Sequence, residues 1–116
     1  MMTLRSLIDK LKLSPLTQNI DMNTSFTNAY ASDLLSNALA IVDPDTIWIT
    51  VQVHGNILGV GSIKQCPAII ISEGSMPSQE VINKANEKDI QLLASQLPTF
   101  ELSGLLYSLI KEEQSG

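Results

Sequence analysis

Between Pro67 and Glu73 the chain runs Ala-Ile-Ile-Ile-Ser. Four consecutive apolar residues, bounded by a proline on one side and a Glu73-Gly74 turn on the other, are too few for a stable helix. They suit a strand covered on both faces, as in a parallel sheet between helices. A second strand is read at residues 46–53, Thr-Ile-Trp-Ile-Thr-Val-Gln-Val, which are mostly β-branched or aromatic. A third short apolar strand falls at residues 90–94. Together these require helices above and below a small sheet, with right-handed crossovers between parallel neighbours.

The helices are legible from period and caps. Leu4, Leu7, Ile8 and Leu11 make one helical stripe, with Pro15 expected to stop it. Ser32 is expected to cap a helix with Asp33 in its first turn and Leu34, Leu35, Ala38, Leu39 and Val42 on its apolar face. Asp43-Pro44-Asp45 reads as a turn. Asn56 is the expected cap of a helix over residues 57–65, whose Gly59, Gly61 and Ser62 suggest a close approach to a neighbour. Ser78 caps a helix carrying Val81, Ile82 and Ala85. Pro98 opens the last helix, with the stripe Leu102, Leu105, Leu106, Leu109 and Ile110 and a frayed tail over residues 111–116. Residues 16–20 and 26–31 are expected as short strands. The fold class is therefore a three-layer α/β/α arrangement around a small, mostly parallel sheet, in a single domain over residues 1–116.

The chain has 116 residues, seven of them basic and twelve acidic, for a net charge of −5. That balance argues against a phosphate-neutralising nucleic-acid surface. One cysteine forms no internal disulfide, and no Cys/His cluster offers a metal site, so neither metal nor cofactor is expected. The apolar runs are shorter than the roughly 18 residues a membrane helix needs. Arg5, Asp9, Lys10 and Lys12 break the N-terminal apolar positions, against a signal-peptide core. A cytoplasmic protein is the expectation.

Several separated segments carry a resemblance in order. They are Tyr30-Ala-Ser-Asp-Leu-Leu-Ser36, Ile47-Trp-Ile-Thr-Val-Gln-Val-His54, Asn56, Ala68-Ile-Ile-Ile and the closing Phe100-Glu-Leu-Ser-Gly-Leu-Leu-Tyr. The chain resembles a DRTGG domain over nearly its whole length. That family is similar to the N-terminal domain of HPr kinase/phosphorylase, is found between CBS domains of certain inorganic pyrophosphatases, and also stands alone. The naming motif is altered here. Asp21 is followed by Met22 rather than arginine, and Thr27 by Asn28 and Ala29 rather than two glycines. The loss of the glycines questions any close backbone approach to a ligand, and the lost arginine removes an anion partner. The resemblance implies an HPr kinase N-terminal-like fold with a regulatory or assembly role. It does not imply a kinase, because no phosphate-binding loop is present. Gly59-x-Gly61 has Lys64 where a third glycine would stand.

Open α/β sheets bind ligands beyond the C-terminal ends of their strands. Those ends place Gln52, His54 and Asn56 together, then Ser72, Glu73 and Gly74, then Ser95, with Ser32 and Asp33 on the same side. Each residue has a plainer reading as a cap or turn, since strand ends are always polar. His54, the only histidine, is either a general base or a hydrogen-bonded surface residue. Ser32, Asp33 and His54 make a triad only on paper, for no nucleophile elbow surrounds the serine. Cys66 reads as buried and inert. Trp48, Tyr30 and Tyr107 read as core, with an oligomer contact as the alternative.

Three functions follow. The first is a non-catalytic regulatory or interaction module, a homodimer or higher homo-oligomer, sensing a small anionic or nucleotide-like ligand at the strand ends. The second is an accessory subunit of a multi-subunit redox complex, which the resemblance alone suggests. The third is a small enzyme using His54 with Glu73 or Asp33.

Overall fold

The computed structural model describes residues 2–115. Strands β4 (Asn28–Ala31), β5 (Thr46–Thr50), β6 (Ile69–Ile71) and β7 (Leu92–Ala94) lie side by side and parallel. β2 (Ser14–Pro15) adds an antiparallel edge, giving one five-stranded sheet of order β2-β7-β6-β5-β4. A separate two-stranded sheet pairs β1 (Met2–Thr3) with β3 (Ser25–Phe26) antiparallel.

The period of two along each strand sorts the core into two sides. Ile47, Ile49, Ile70 and Leu93 face α1 (Leu4–Leu11) and α5 (Thr99–Ser115), where they meet Leu4, Leu7, Leu102, Leu106 and Phe26. Trp48, Ile69, Ile71 and Leu92 face α2 (Leu35–Ile41), α3 (Asn56–Lys64) and α4 (Gln79–Glu87), where they meet Ala38, Ile57, Leu58 and Ala85. The three crossover helices thus share one face, and the first and last helices cover the other. This is the expected three-layer α/β/α architecture. The continuous apolar run at Ile69–Ile71 is fully buried because both of its faces are covered.

Local expectations fail where one hydrogen bond or one turn decides. α1 stops at Leu11 before Pro15 is reached, because Lys12 takes the left-handed conformation at φ 55°. Residues 16–20 are not a strand. Pairing falls instead on Ser14 and Pro15, with Leu16 N still donating to Leu92 O, and proline is tolerated because β2 is an edge. The stretch 26–31 is two strands in two sheets, divided where Thr27 N and Asn28 N both donate to Asp45 O. Residues 51–53 leave the sheet after Thr50, and β7 begins at Leu92 rather than at Ile90. The Asp43 turn is as expected. Its carboxyl is held below the usual carboxylate range by the Thr46 hydroxyl and then by the Asp45 N–H. α5 runs on as helix to Ser115, and Gly116 lies outside the described residues.

Candidate functional site

The C-terminal ends of the parallel strands carry two hydrogen-bonded networks. At the end of β5, Asp33 Oδ1 accepts from the Thr50 hydroxyl at 2.9 Å and from Val51 N at 2.9 Å. Gln52 Nε2 donates to Asp33 O at 3.2 Å, and Trp48 Nε1 donates to Ser32 O at 2.9 Å. Ser32 and Asp33 therefore do not open α2 as a cap and first-turn charge. The helix begins at Leu35 behind Leu34, with no side-chain cap, and Ser32 Oγ accepts from Leu34 N. The physical reason is competition. The buried Thr50 hydroxyl and the departing Val51 N–H need an acceptor, and Asp33 supplies it.

The second network joins β6, β7 and α5. Glu73 and Gly74 form a tight turn with both residues at positive φ, 67° and 70°. Glu73 N donates to Leu97 O and Gly74 N to Ser95 O. Glu73 Oε2 accepts from Thr99 N at 2.6 Å, so the protein's own carboxylate occupies the N-terminus of α5. The buried Ser72 hydroxyl bonds the Thr99 hydroxyl, and Ser95 Oγ accepts from Leu97 N.

His54 and Asn56 lie at the start of α3. Asn56 is not the cap; Gly55 takes that place without a side-chain bond. His54 caps instead, its Nδ1 accepting from Asn56 N at 3.1 Å. With Ile57 N on His54 O and Leu58 N on Gly55 O, the first amides of α3 are satisfied internally. Ser32, Asp33 and His54 each bond other partners, so the structure does not connect them as a triad. Among the described residues no group of three His, Cys, Asp or Glu is placed to hold a metal ion.

Two recesses matter here, one beside His54 and one at the motif residues Asn28 and Ala29, and Ser95 lines a third, of about 370 Å³, with Lys10 and Lys12. An open groove of about 620 Å³ runs between the starts of α3 and α4, lined by His54, Gly55, Met76, Ser78, Glu80 and Lys84 among others. Lys84 Nζ pairs with Glu80 at 3.4 Å across one turn of α4. In the sequence Ser78 is legible only as a cap, and Met76, Glu80 and Lys84 are not legible as site residues at all. Their spacing signals nothing beyond a solvated helix face, and only the crossover brings that face beside His54. The second recess, about 200 Å³, lies between β4 and α5 and includes Asn28, Ala29, Tyr30, Ser103, Tyr107 and Lys111 in its lining. Thr27, Asn28 and Ala29 thus run from the junction of the two sheets into the edge strand. Neither Asn28 nor Ala29 is among the residues at positive φ, so the exchanged glycine pair leaves no backbone strain here.

Cys66 is partly buried, and its Sγ donates to Ala68 O at 3.0 Å. Burial pushes the thiol up to about 12. It is far from the thiolate character that reactive cysteines need.

A mixed, mostly parallel sheet with three crossover helices on one face and the terminal helices on the other is a DRTGG-like fold. The chain is similar to the solved structure of the CBS and DRTGG domains of the regulatory region of Clostridium perfringens pyrophosphatase, complexed with its activator diadenosine tetraphosphate. The TM-score is 0.69 at 16% identity, over 89% of this chain and 45% of that one. The chain therefore spans less than half the length of the pyrophosphatase chain it matches. No family model and no curated protein matches the sequence. No helix among the described residues is long and apolar enough to cross a membrane.

Proposed function

We propose that this chain is a non-catalytic, single-domain regulatory or interaction module of the cytoplasm, homo-oligomeric, sensing a small anionic or nucleotide-like ligand at the strand C-terminal ends. The observation that carries this reading is the division of labour among the polar residues there. Asp33, Ser72, Glu73, Gly74 and Ser95 are engaged in holding the ends of the strands, whereas the exposed His54 borders an open groove of about 620 Å³ that also holds Lys84. The reading gives ligand contact to His54 and Lys84, with the exposed Gln52 and Asn56 nearby, and gives the rim to the others. Ser32, bonded to Leu34 N, stands with the rim. The fold's use in a pyrophosphatase regulatory region activated by a dinucleotide supports a nucleotide-like ligand.

The test is a thermal-shift titration with ATP, diadenosine tetraphosphate, sugar phosphates and inorganic phosphate. A compound at a hundred times its dissociation constant is expected to stabilise by about 2.7 kcal/mol, a clear rise in Tm for a domain of this size. Lys84→Ala should reduce the shift while leaving the unliganded Tm nearly unchanged, and His54→Ala should reduce the shift and also lower the unliganded Tm, since it removes the cap on Asn56 N. No shift with any compound overturns the ligand part and favours the second reading, a subunit that contributes contacts to a larger assembly. The feature that supports that second reading is Phe100, 91% exposed at the start of α5.

A further inference from the structure

The two edges of the five-stranded sheet are built differently. At one edge, β2 is two residues long and one of them is Pro15, which has no N–H to offer an incoming strand. At the other edge, β4 is Asn28-Ala-Tyr-Ala31, with no proline, no charge and small side chains at two of its four positions. Asn28 N donates to Asp45 O, just before β5, and Ser32 N to Ile49 O within it. The two-residue period then turns the backbone N–H and C=O of Ala29 and Ala31 outward, where no described strand pairs with them.

The surroundings of β4 also carry little charge. The chain carries a net −5, yet no residue between Asp21 and Asp33 is charged. On α5, the positions flanking β4 across the recess are Ser103, Tyr107, Ile110, Lys111 and Gln114, with no acid among them. Tyr107 is 63% exposed, and Lys111 Nζ sits 5.4 Å from its ring centre. Ser103 Oγ is buried there without a hydrogen-bond partner.

We infer that β4 is the pairing edge for a second copy of this chain, the two β4 strands running antiparallel about a two-fold axis at Tyr30 to make one continuous sheet. The inference rests on the homo-oligomeric part of the proposed function and names its interface. About a two-fold at Tyr30 the same three residues serve both copies reciprocally, and the small side chains of Ala29 and Ala31 leave the outward backbone open to close approach. Ala29 faces the partner's Ala31 and exchanges both backbone bonds with it, and the symmetric pair does the same. Tyr30 meets its own copy as the non-bonded pair, at a Cα separation of about 4.5 Å. A two-fold perpendicular to the sheet keeps both α5 helices on one side, so the Tyr107 surfaces become neighbours. Their area is needed, since a four-residue strand pairing alone falls short of the roughly 800 Å² per partner of a stable interface. A copy meets this surface without the repulsion between carboxylates that the acidic remainder of the chain would impose, and the one charge on it, Lys111, lies over its own Tyr107 ring.

Three measurements test this: the mass in solution by light scattering across a concentration series, the same for Ala31→Lys, and self-crosslinking of Tyr30→Cys in a Cys66→Ala background. The expected results are a dimer for the wild type, a folded monomer for Ala31→Lys, and a covalent dimer of Tyr30→Cys under mild oxidation. The separation at the axis lies within the about 4.4–6.8 Å that a disulfide spans. Amide exchange at Ala29 and Ala31, slowed at high protein concentration, supports the same interface without any substitution. A wild type that stays monomeric at every concentration overturns both this inference and the homo-oligomeric reading. A dimer that survives Ala31→Lys, with fast exchange at Ala29 and Ala31, overturns the interface alone.

Discussion

At the scale of single residues, the fold uses polar groups chiefly to end strands and start helices. Cys66 shows how burial decides chemistry. Its thiol ionises near pH 9 in the unfolded chain and at about 12 in the folded one, with burial the first cause. A group that keeps its proton longer when folded stabilises nothing extra below pH 9. Between pH 9 and 12 the unfolded state gives up a proton that the folded state retains, so stability falls as pH rises. Relative to Cys66→Ala, the wild type should lose about 1 kcal/mol per pH unit in urea unfolding from pH 9 to pH 11. A pH-independent difference between the two proteins would contradict the burial argument. At neutral pH the native thiol should be slow toward a disulfide reagent and fast once unfolded. The sequence made Cys66 legible because a lone thiol beside Pro67 and an isoleucine run has only Lys64 as a nearby cation. It did not make Asp33 legible. The acceptor role of that carboxylate depends on Thr50 and Val51, seventeen and eighteen positions away, arriving at the same place.

At the scale of elements, α3 separates two glycines that look alike in sequence. A Cβ on Gly61 would stand 3.1 Å from Ile69 Cδ1, and the residue is buried against the sheet. A Cβ on Gly59 meets nothing within 4 Å, and the residue is exposed. Gly59→Ala should therefore stabilise by about 0.5–1 kcal/mol through helix propensity alone. Gly61→Ala gains the same propensity but crowds Ile69, so its Tm should fall below that of Gly59→Ala. Thermal unfolding of the two variants side by side checks the ordering; equal gains would mean that α3 has slack against β6. The sequence-level idea of a close approach thus holds for one glycine and not the other. The same limit explains the misread strands. Apolar periodicity located β5, β6 and β7, because each is buried on both faces and reads as a run. It did not locate β2 or separate β3 from β4, because two-residue pairings have no period. They are fixed by partners such as Leu93 and Ala94, which pair from far along the chain.

At the scale of the whole molecule, the ends of the strands work as two side-chain networks, joined through the sheet by the backbone bond from Ser72 N to Thr50 O. Asp33 ties the end of β5 to the segment before α2, through Thr50, Val51 and Gln52. Glu73 ties the end of β6 to β7 and to the start of α5, through Leu97 O and Thr99 N. The groove beside His54 involves neither carboxylate in its lining. The candidate site was legible as a set of polar strand ends, but not as a division between residues that hold the rim and residues that face a groove. That division is a tertiary property of where α4 packs. It has a measurable consequence. Asp33→Ala leaves the buried Thr50 hydroxyl without its acceptor, a loss of about 1–3 kcal/mol. Glu73→Ala removes the acceptor at the start of α5 while keeping a non-glycine residue at positive φ, so it should destabilise on its own. Sites without shared partners add within about 0.5 kcal/mol. The double variant should therefore lose the sum of the two single losses, measured by urea unfolding. A ligand that binds the His54 groove should still raise the Tm of the Glu73→Ala protein by its wild-type increment. A coupling well beyond 0.5 kcal/mol, or a ligand response lost with Glu73, would mean that rim and groove form one network and that Glu73 contributes to binding after all.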